Sequence, residues 1–333
     1  MKIHNFELIQ TTMYPDFDLK ITLKPSFRCN QSCWFCEEYD NTSYQWTEED
    51  CDLIIEKLSQ IPLDKESIYI YFYGGEPTLS EHWEDLHYRI IEIFKYRELF
   101  IQTQTNMSVD KDRLNLFLSC VNERKQPNHT IDICSSYHLN KQTPEEFKEK
   151  MDICNKHNAL GLCFFNSDLL HKDQFMSEFY YLAGHYKDKM KLRFTEIGKG
   201  VQDTKEAKQY DDNYALKSYE YNHLMEFHPE LREYFEEGFN FNVNIDGNDS
   251  IMNFAEVSAN DIHKNFRLMK CDCGIKNIVI DHNLKVYHCN DDFKNGINIY
   301  DINDINLDTF FDKEVYCMNK ACYDGLEFHK WKR

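Results

Sequence analysis

The sequence predicts an α/β protein with a parallel sheet as its main part and a small cysteine-rich domain after it. Over the first two hundred residues, six strand-like segments alternate with helix-like segments. Such alternation is typical of βαβ units and a parallel sheet. The alternation stops near residue 200, and five of the thirteen cysteines then lie between residues 271 and 322. These observations separate a regular first part from an irregular last part.

The six predicted strands rest on residue pattern and composition. Asp18–Lys24 alternates polar and apolar residues with a period of two, which favours a strand. Ile68–Tyr73 is β-branched and aromatic throughout, which favours a buried strand. The remaining predicted strands are Leu99–Thr105, Ile131–Ser135, Leu160–Phe165 and Lys191–Glu196.

The predicted helices lie between these strands. In Glu81–Tyr96 the apolar residues recur at helical spacing, and Thr143 can cap a helix that begins at Pro144. The other predicted helices are Thr47–Leu58, Asp110–Val121 and Lys172–Tyr186. A parallel sheet of this size is a partial barrel or an open doubly wound sheet. In both, the chemistry lies at the carboxyl ends of the strands.

Beyond residue 200 the pattern is less regular. Lys205–Lys217 and His228–Glu237 are predicted as helices, and Phe239–Asp246 as a strand. A hairpin is predicted over residues 278–289, with its turn at residues 282–283. We therefore predict three regions: the barrel over residues 1–200, a helical connecting region over 201–265 packed on it, and the cysteine-rich domain over 266–333.

The composition limits the classes of function. With 57 acidic and 38 basic residues the net charge is −19, which disfavours binding to a nucleic-acid polymer. No apolar run is long enough to span a membrane, and the first residues lack the apolar stretch of a secretory signal. We therefore expect a cytoplasmic protein without a membrane partner, in which clustered cysteines bind metal rather than form disulfides.

The first cysteine group follows the first predicted strand. Cys29, Cys33 and Cys36 lie within eight residues, so their thiolates can converge on one cluster. A 4Fe–4S cluster usually takes four thiolates, so three of them leave one iron open to a small ligand. A zinc loop is the alternative, although a structural zinc site would also need a fourth ligand.

This group, C-x-x-x-C-x-x-C with Phe35 before the last cysteine, resembles the signature of the radical SAM superfamily. Gly74, Gly75, Glu76 and Pro77 follow the second strand and resemble the family's motif for the amino group of S-adenosyl-L-methionine (AdoMet). The resemblance implies a partial (β/α)6 TIM-like barrel with a catalytic 4Fe–4S cluster. One electron from the cluster cleaves AdoMet, and the 5′-deoxyadenosyl radical takes a hydrogen atom from the substrate.

The resemblance also indicates further AdoMet contacts at the strand ends. Asn106 follows Thr105 after the third strand, and Ser135 and Ser136 end the fourth. Arg193 on the sixth strand could pair with the carboxylate of AdoMet. Each of these residues could equally be an ordinary strand-end residue. His138 is either a loop residue or a substrate contact.

The C-terminal cysteines resemble the SPASM and twitch auxiliary-cluster domains of radical SAM enzymes. Cys271, Gly274 and Cys289 fit the opening motif, but a full SPASM domain has seven cysteines and this region has five. We therefore expect one auxiliary 4Fe–4S cluster, with zinc as the alternative. Its expected ligands are Cys271, Cys289, Cys317 and Cys322, with Cys273 as a spare or substitute; His288 and His329 are candidates for zinc.

The predicted function is hydrogen abstraction from a small-molecule or peptide substrate, with a reductant such as flavodoxin or ferredoxin. The first predicted strand begins near Asp18, so a peptide substrate is expected to be presented by a separate protein. Oxidation, epimerisation and cross-linking remain open as the outcome, and no catalytic side chain is assigned. The alternatives are a non-catalytic zinc protein and a two-cluster electron carrier; the motif at residues 74–77 disfavours the electron carrier.

Overall fold

The structure is a computed structural model of the 333-residue chain. It describes residues 3–11, 17–36, 44–167, 169–190, 192–196, 205, 208, 239–253, 270–271, 273–311, 315–318 and 331–332. The chain divides into two units. Unit 1 comprises Met1–Leu23, Glu48–Ile70 and Glu236–Arg333, and unit 2 comprises Lys24–Thr47 and Tyr71–Phe235.

The described strands and helices are numbered here in chain order. The strands are β1 (Ile3–Thr11), β2 (Leu19–Leu23), β3 (Ser67–Phe72), β4 (Glu98–Thr105), β5 (His129–Tyr137), β6 (Leu160–Ser167), β7 (Leu192–Glu196), β8 (Phe239–Ile245), β9 (Asn248–Asn253), β10 (Lys270–Cys271), β11 (Asn277–Ile280), β12 (Lys285–Tyr287), β13 (Tyr300–Asp301), β14 (Val315–Tyr316) and β15 (Trp331–Lys332). The helices are α1 (Glu48–Ser59), α2 (Trp83–Ile93), α3 (Lys111–Arg124), α4 (Pro144–Lys156), α5 (Lys172–Tyr186), α6 (Asn290–Asn295) and α7 (Leu307–Phe310).

The predicted α/β class is confirmed. Strands β2 to β7 are the six predicted strands, and α1 to α5 are the five predicted helices between them. The start of α4 is also as expected: Thr143 Oγ1 accepts the N–H of Glu146 at 3.2 Å in a capping box. The helices predicted at 205–217 and 228–237 lie outside the described residues, apart from Lys205 and Lys208.

In unit 2 the strands β4, β5, β6 and β7 lie side by side in that order and are parallel. Contacts of three strands show which face meets the helices. Phe72 at the end of β3 stacks on His87 of α2, and Thr103 of β4 bonds the same ring at 2.9 Å. Tyr137 of β5 packs on Phe147 of α4. Residues one position away in each strand therefore point to the opposite face.

In unit 1 the predicted C-terminal hairpin is part of the same sheet as β2. Strand β11 pairs in parallel with β2, with Lys20 opposite Asn277, and then pairs with β12 in an antiparallel hairpin. The strand order is β13-β12-β11-β2-β3. The sequence predicted the hairpin but did not predict its partner.

A second sheet in unit 1 contains a strand that the sequence analysis missed. Its order is β14-β10-β15-β1-β8-β9. The expectation that the first strand begins near Asp18 is wrong, because β1 precedes it. Strand β1 pairs with β8 and with β15, both far along the chain, so no short-range signal marks it.

The domain boundaries predicted at residues 200 and 265 stay predictions. For membrane association the described part of the chain gives one finding: it contains no helix with the length and apolar character needed to cross a bilayer.

Candidate active site

The loop with the first three cysteines is held by backbone hydrogen bonds from the glycine motif after β3. The N–H of Gly75 donates to the carbonyl of Ser26 at 3.0 Å, and the N–H of Glu76 donates to that of Arg28 at 2.8 Å. These bonds fix the chain immediately before Cys29. The two motifs found in the sequence are therefore neighbours in the structure.

Both glycines are required by this close approach. Gly74 has a φ of +126°, which L side chains rarely adopt. A Cβ on Gly75 would lie 2.4 Å from the carbonyl oxygens of Phe27 and Arg28, closer than real atoms approach. Since backbone atoms cannot move aside as side chains do, the motif permits no side chain here.

The three thiols of the loop lie within electrostatic range of one another. Burial raises the pKa of the Cys33 thiol to about 12, and the charges of Cys36 and Cys29 add to the rise, while Lys141 opposes it. Burial also raises the pKa of Cys29, whose Sγ accepts the backbone N–H of Gln31 at 3.4 Å. A metal or cluster that replaces these protons would relieve the cost of burying several thiolates together.

Glu76 is fully buried and is bonded on both oxygens within the protein. Oε1 accepts Thr78 N at 3.1 Å, Thr78 Oγ1 at 2.6 Å and Thr105 Oγ1 at 2.8 Å. Oε2 accepts the N–H of Asn106 at 2.7 Å. Burial raises the pKa of Glu76, and these hydrogen bonds oppose the rise. The carboxyl group thereby joins the loops that follow β3 and β4.

Asn106 lies against the cysteine loop. Its side-chain Nδ2 is 3.6 Å from Cys29 Sγ and 3.2 Å from Asn30 Oδ1. Pro77 begins a 3-10 turn (Pro77–Leu79) that Glu76 caps. The structure thus brings the first cysteines, the glycine motif and Asn106 into one site.

The two serines of β5 point in opposite directions. Ser135 is fully buried on the helix-facing side, the side of Tyr137, and pairs with Cys163. Ser136 points to the other face, where Gln104 Nε2 donates to its hydroxyl at 3.3 Å. Only Ser136 shares a face with the site. Arg193 lies in β7 opposite Phe164, and its side chain is outside the described part.

A polar row, defined as Tyr71, Gln104 and Ser136, crosses three strands on this face and was not found from the sequence. The hydroxyl of Tyr71 donates to Gln104 Oε1, and the Gln104 amide donates to Ser136. Tyr71 and Ser136 are both largely buried, at 7% and 6% exposure. Polar residues on strands carry no sequence signal that separates such a row from isolated side chains.

His138 is placed at the site by its position directly after β5, two residues beyond Ser136. Its Nδ1 is 3.7 Å from Cys33 Sγ and 3.1 Å from Asn166 Nδ2. Its ring stacks on Phe35 with centroids 5.7 Å apart. Burial, with a smaller effect of Lys141, lowers the pKa of His138 to about 4, so the ring is neutral at physiological pH.

Three side chains of the second cysteine group also lie together. Cys271, Cys273 and Cys289 are buried together, and the Sγ atoms of Cys271 and Cys273 are 3.1 Å apart. Burial raises the pKa of Cys273, and the thiols of Cys271 and Cys289 add to the rise. Cys317 is buried two residues after Val315, which pairs with Cys271. Cys322 and His329 lie outside the described residues.

His288 packs beside this second group. Its ring lies over Gly274, where a Cβ would be 2.5 Å from His288 Cδ2, and its Nδ1 is 3.5 Å from Asp292 Oδ2. Gly274 has a φ of +76°. Gly274 is therefore required for two reasons: its positive φ disfavours a side chain, and the His288 ring occupies the space that a Cβ would need.

The donor sets fit iron–sulfur clusters in their chemistry. In the described ranges, no group of three or more His, Cys, Asp or Glu side chains is arranged to hold a metal ion. A cubane cluster binds its thiolates through separate irons, so its ligands need not converge as those of one ion do. Three thiols on one loop, with no fourth beside them in the sequence, match a cluster with one open iron.

Comparisons with known proteins agree with the fold and the motifs. Residues 23–175 match the model of the radical SAM superfamily. The structure of native anSMEcpe with bound AdoMet and Kp18Cys peptide has a TM-score of 0.56 to this chain, at 16% identity over 91% of this chain and 81% of that one. Native anSMEcpe with bound AdoMet alone gives 0.54, at 15% identity over 89% and 81%.

The structure of BtrN in complex with AdoMet and 2-DOIA covers 90% of this chain and 84% of its own, at 15% identity and a TM-score of 0.42. No curated protein matches the sequence. The TM-scores above 0.5 to the two anSMEcpe structures show that this chain shares their fold. The family model covers residues 23–175, just under half of the chain. The family implies an enzyme that uses a 4Fe–4S cluster and AdoMet.

Proposed function

We propose that Cys29, Cys33 and Cys36 hold the catalytic 4Fe–4S cluster of this enzyme, and that AdoMet binds between them and Gly74–Pro77. The observation that carries the proposal is the position of Asn106, whose side chain reaches Cys29 while its backbone is fixed by Glu76. One residue thus joins the cysteine loop to the glycine motif. When bound, the cluster supplies one electron for the cleavage of AdoMet.

The residues of the chain orient and shield this chemistry. Gly74 and Gly75 let the backbone of the motif lie directly on the cysteine loop. Glu76 is committed to internal hydrogen bonds, so its contribution to AdoMet binding is to fix the loop, whose backbone is then available to the amino group. Phe35, Asn106, Ser136 and Arg193 are the further residues that we propose as AdoMet contacts; Ser135, on the opposite face, would act only through packing.

The substrate that we propose is polar, either a small molecule or a peptide. Ser136 ends the polar row, and His138, two positions further along the chain, contacts Cys33, so the row leads towards the cysteine loop. Tyr71, Gln104 and Ser136 provide donors and acceptors for a substrate with hydroxyl, amide or carboxylate groups. The bound peptide in the anSMEcpe structure supports a peptide among the candidates. Abstraction from carbon would then lead to oxidation, epimerisation or cross-linking.

We further propose one auxiliary 4Fe–4S cluster in a SPASM- or twitch-like domain over residues 266–333. Its ligands would be Cys271, Cys289, Cys317 and Cys322. The 3.1 Å separation of the Cys271 and Cys273 sulfurs supports this choice, because two thiolates so close cannot each bind a different iron without moving apart. Cys273 is then the residue that would replace Cys271 as a ligand. Zinc at this position is the alternative. The proposed reductant is a flavodoxin or ferredoxin in the cytoplasm.

The decisive experiment is anaerobic reconstitution followed by incubation with AdoMet and dithionite. We expect about eight irons per chain, the content of two 4Fe–4S clusters, and formation of 5′-deoxyadenosine. Cys33→Ala should lose about four irons and the product, whereas Cys154→Ala, a buried cysteine of α4, should lose neither. Zinc in both groups without 5′-deoxyadenosine would favour a non-catalytic zinc protein; two clusters without it would favour an electron carrier.

A further inference from the structure

The contact between His138 and Cys33 has no role in the function proposed above. His138 Nδ1 lies 3.7 Å from Cys33 Sγ, within the range of an N–H···S hydrogen bond. Cys33 is the most buried of the three thiols of its loop, at 6% exposure. A hydrogen bond in such a place is weakly screened by water and is correspondingly strong.

The surroundings of the ring fix its position. Phe35 stacks on it with the two planes 21° apart. Asn166 of β6 approaches the same Nδ1 at 3.1 Å. Because Phe35 belongs to the cysteine loop and Asn166 to a strand, the imidazole is held between the loop and the sheet. The ring cannot turn away from Cys33 without losing both contacts.

The chemistry of the ring determines which way the hydrogen bond runs. A neutral imidazole carries one proton, and that proton lies on Nδ1 or on Nε2. Beside a thiol, Nδ1 can accept the S–H proton. Beside a thiolate, which has only lone pairs to offer, the favourable tautomer carries the proton on Nδ1. The amide of Asn166, whose O and N are assigned from the hydrogen-bond network, then presents Oδ1 to the ring, and the Nδ1–H is shared between this oxygen and the Cys33 sulfur.

We propose that His138 is a positioning residue for the catalytic cluster: it donates its Nδ1–H to the Cys33 thiolate and raises the reduction potential of the cluster. Hydrogen bonds to ligand sulfurs are among the factors that set such potentials. A donated hydrogen bond withdraws electron density from the thiolate and stabilises the reduced cluster. The inference rests on the proposed function, since it requires Cys33 to be a cluster ligand.

The test is the midpoint potential of the catalytic cluster in the reconstituted protein without AdoMet. The titration is monitored by EPR, and the signal of the catalytic cluster is identified as the one that changes when AdoMet is added. His138→Phe keeps a flat ring against Phe35 but removes the N–H donor. We expect a more negative midpoint potential with unchanged iron content. His138→Gln, which restores an N–H donor, should recover part of the shift. His185→Phe, a change at an exposed histidine of α5, should leave the potential unchanged.

A second measurement needs no variant. With ¹⁵N-histidine in the wild-type protein, the reduced cluster should show a hyperfine coupling to one histidine nitrogen. Absence of this coupling, or an unchanged midpoint in His138→Phe with an intact cluster, would overturn the inference. Failure of the proposed function gives a different result: Cys33→Ala would then keep the iron and the EPR signal of the wild-type chain.

Discussion

The backbone N–H of Asn106 donates to Glu76 Oε2 at 2.7 Å, and this bond joins the loops that follow two strands of the site. The other oxygen of Glu76 accepts bonds from Thr78 and Thr105. Donors on all sides stabilise a buried carboxylate. A side chain that itself donates would face these donors and leave a buried hydrogen bond unmade, which destabilises the protein. The glycine motif is therefore important for the architecture of the site as well as for ligand contact.

Glu76→Gln should destabilise the protein and weaken AdoMet binding. The new amide places an NH₂ against the N–H of Asn106 or of Thr78, which leaves a buried donor unsatisfied and costs about 1–3 kcal/mol. The free energy of unfolding in urea and the dissociation constant of AdoMet check the two effects. Glu49→Gln, at an exposed position of α1, is the control. Unchanged values in Glu76→Gln would show that the four hydrogen bonds do not hold the loops.

Gly75→Ala should displace the cysteine loop. Its Cβ would lie 2.4 Å from two carbonyl oxygens, so overpacking of about 1–3 kcal/mol or more is expected, together with loss of about four irons. Gly184→Ala is the matched control, because no atom of the described residues lies within 4 Å of a Cβ there. That change lies in α5 and should stabilise the protein by up to about 1 kcal/mol. Full iron content in Gly75→Ala would contradict the prediction.

Cys289→Ala should remove the proposed auxiliary cluster and leave the proposed catalytic cluster in place. We expect a loss of about four irons while the signal of the catalytic cluster persists, because the first three cysteines are unaffected. Cys163→Ala, which also removes a buried thiol, should keep the iron. Iron and zinc analysis of the anaerobic protein, with EPR of the reduced state, measures both. Loss of zinc instead of iron would identify the alternative metal.

Asp132→Asn should change the pH dependence of stability. Burial raises the pKa of Asp132 in β5 from 3.8 to about 7, so the folded protein loses stability as pH rises from about 4 to about 7. The amide stays neutral. The variant should therefore equal the wild type near pH 4 and exceed its stability above pH 7, by up to about 4 kcal/mol. Thermal unfolding across this range tests the prediction, with Asp64→Asn, at an exposed position, as the control.

The sequence was sufficient for the parallel strands and for the motifs, since both depend on residues close together in the chain. Alternation, β-branched and aromatic composition, and helical spacing of apolar residues located β2 to β7 and their helices within a few residues. The pairing of Asn106 with Glu76 could be expected, because strand ends meet at one edge of a parallel sheet. The assignment of Cys29, Cys33 and Cys36 to a cluster stays a prediction.

The rest depends on contacts between distant segments. Strand β1 could not be found, because its partners β8 and β15 lie more than two hundred residues further along the chain. Adjacent strand residues always point to opposite faces, but which of Ser135 and Ser136 faces the site depends on the register of β5, which a pair of identical residues does not reveal. His138 had no motif around it, and its contact with Cys33 spans 105 positions.

The parallel pairing of Lys20 with Asn277 has a consequence for the way this protein forms. During synthesis, one edge of β2 has no partner until the ribosome has released most of the chain. An exposed strand edge invites pairing with other molecules, and contacts so distant in sequence form slowly. Newly made chains should therefore depend on chaperones, and a chain that stops before β11 should aggregate even though its cysteine loop is complete.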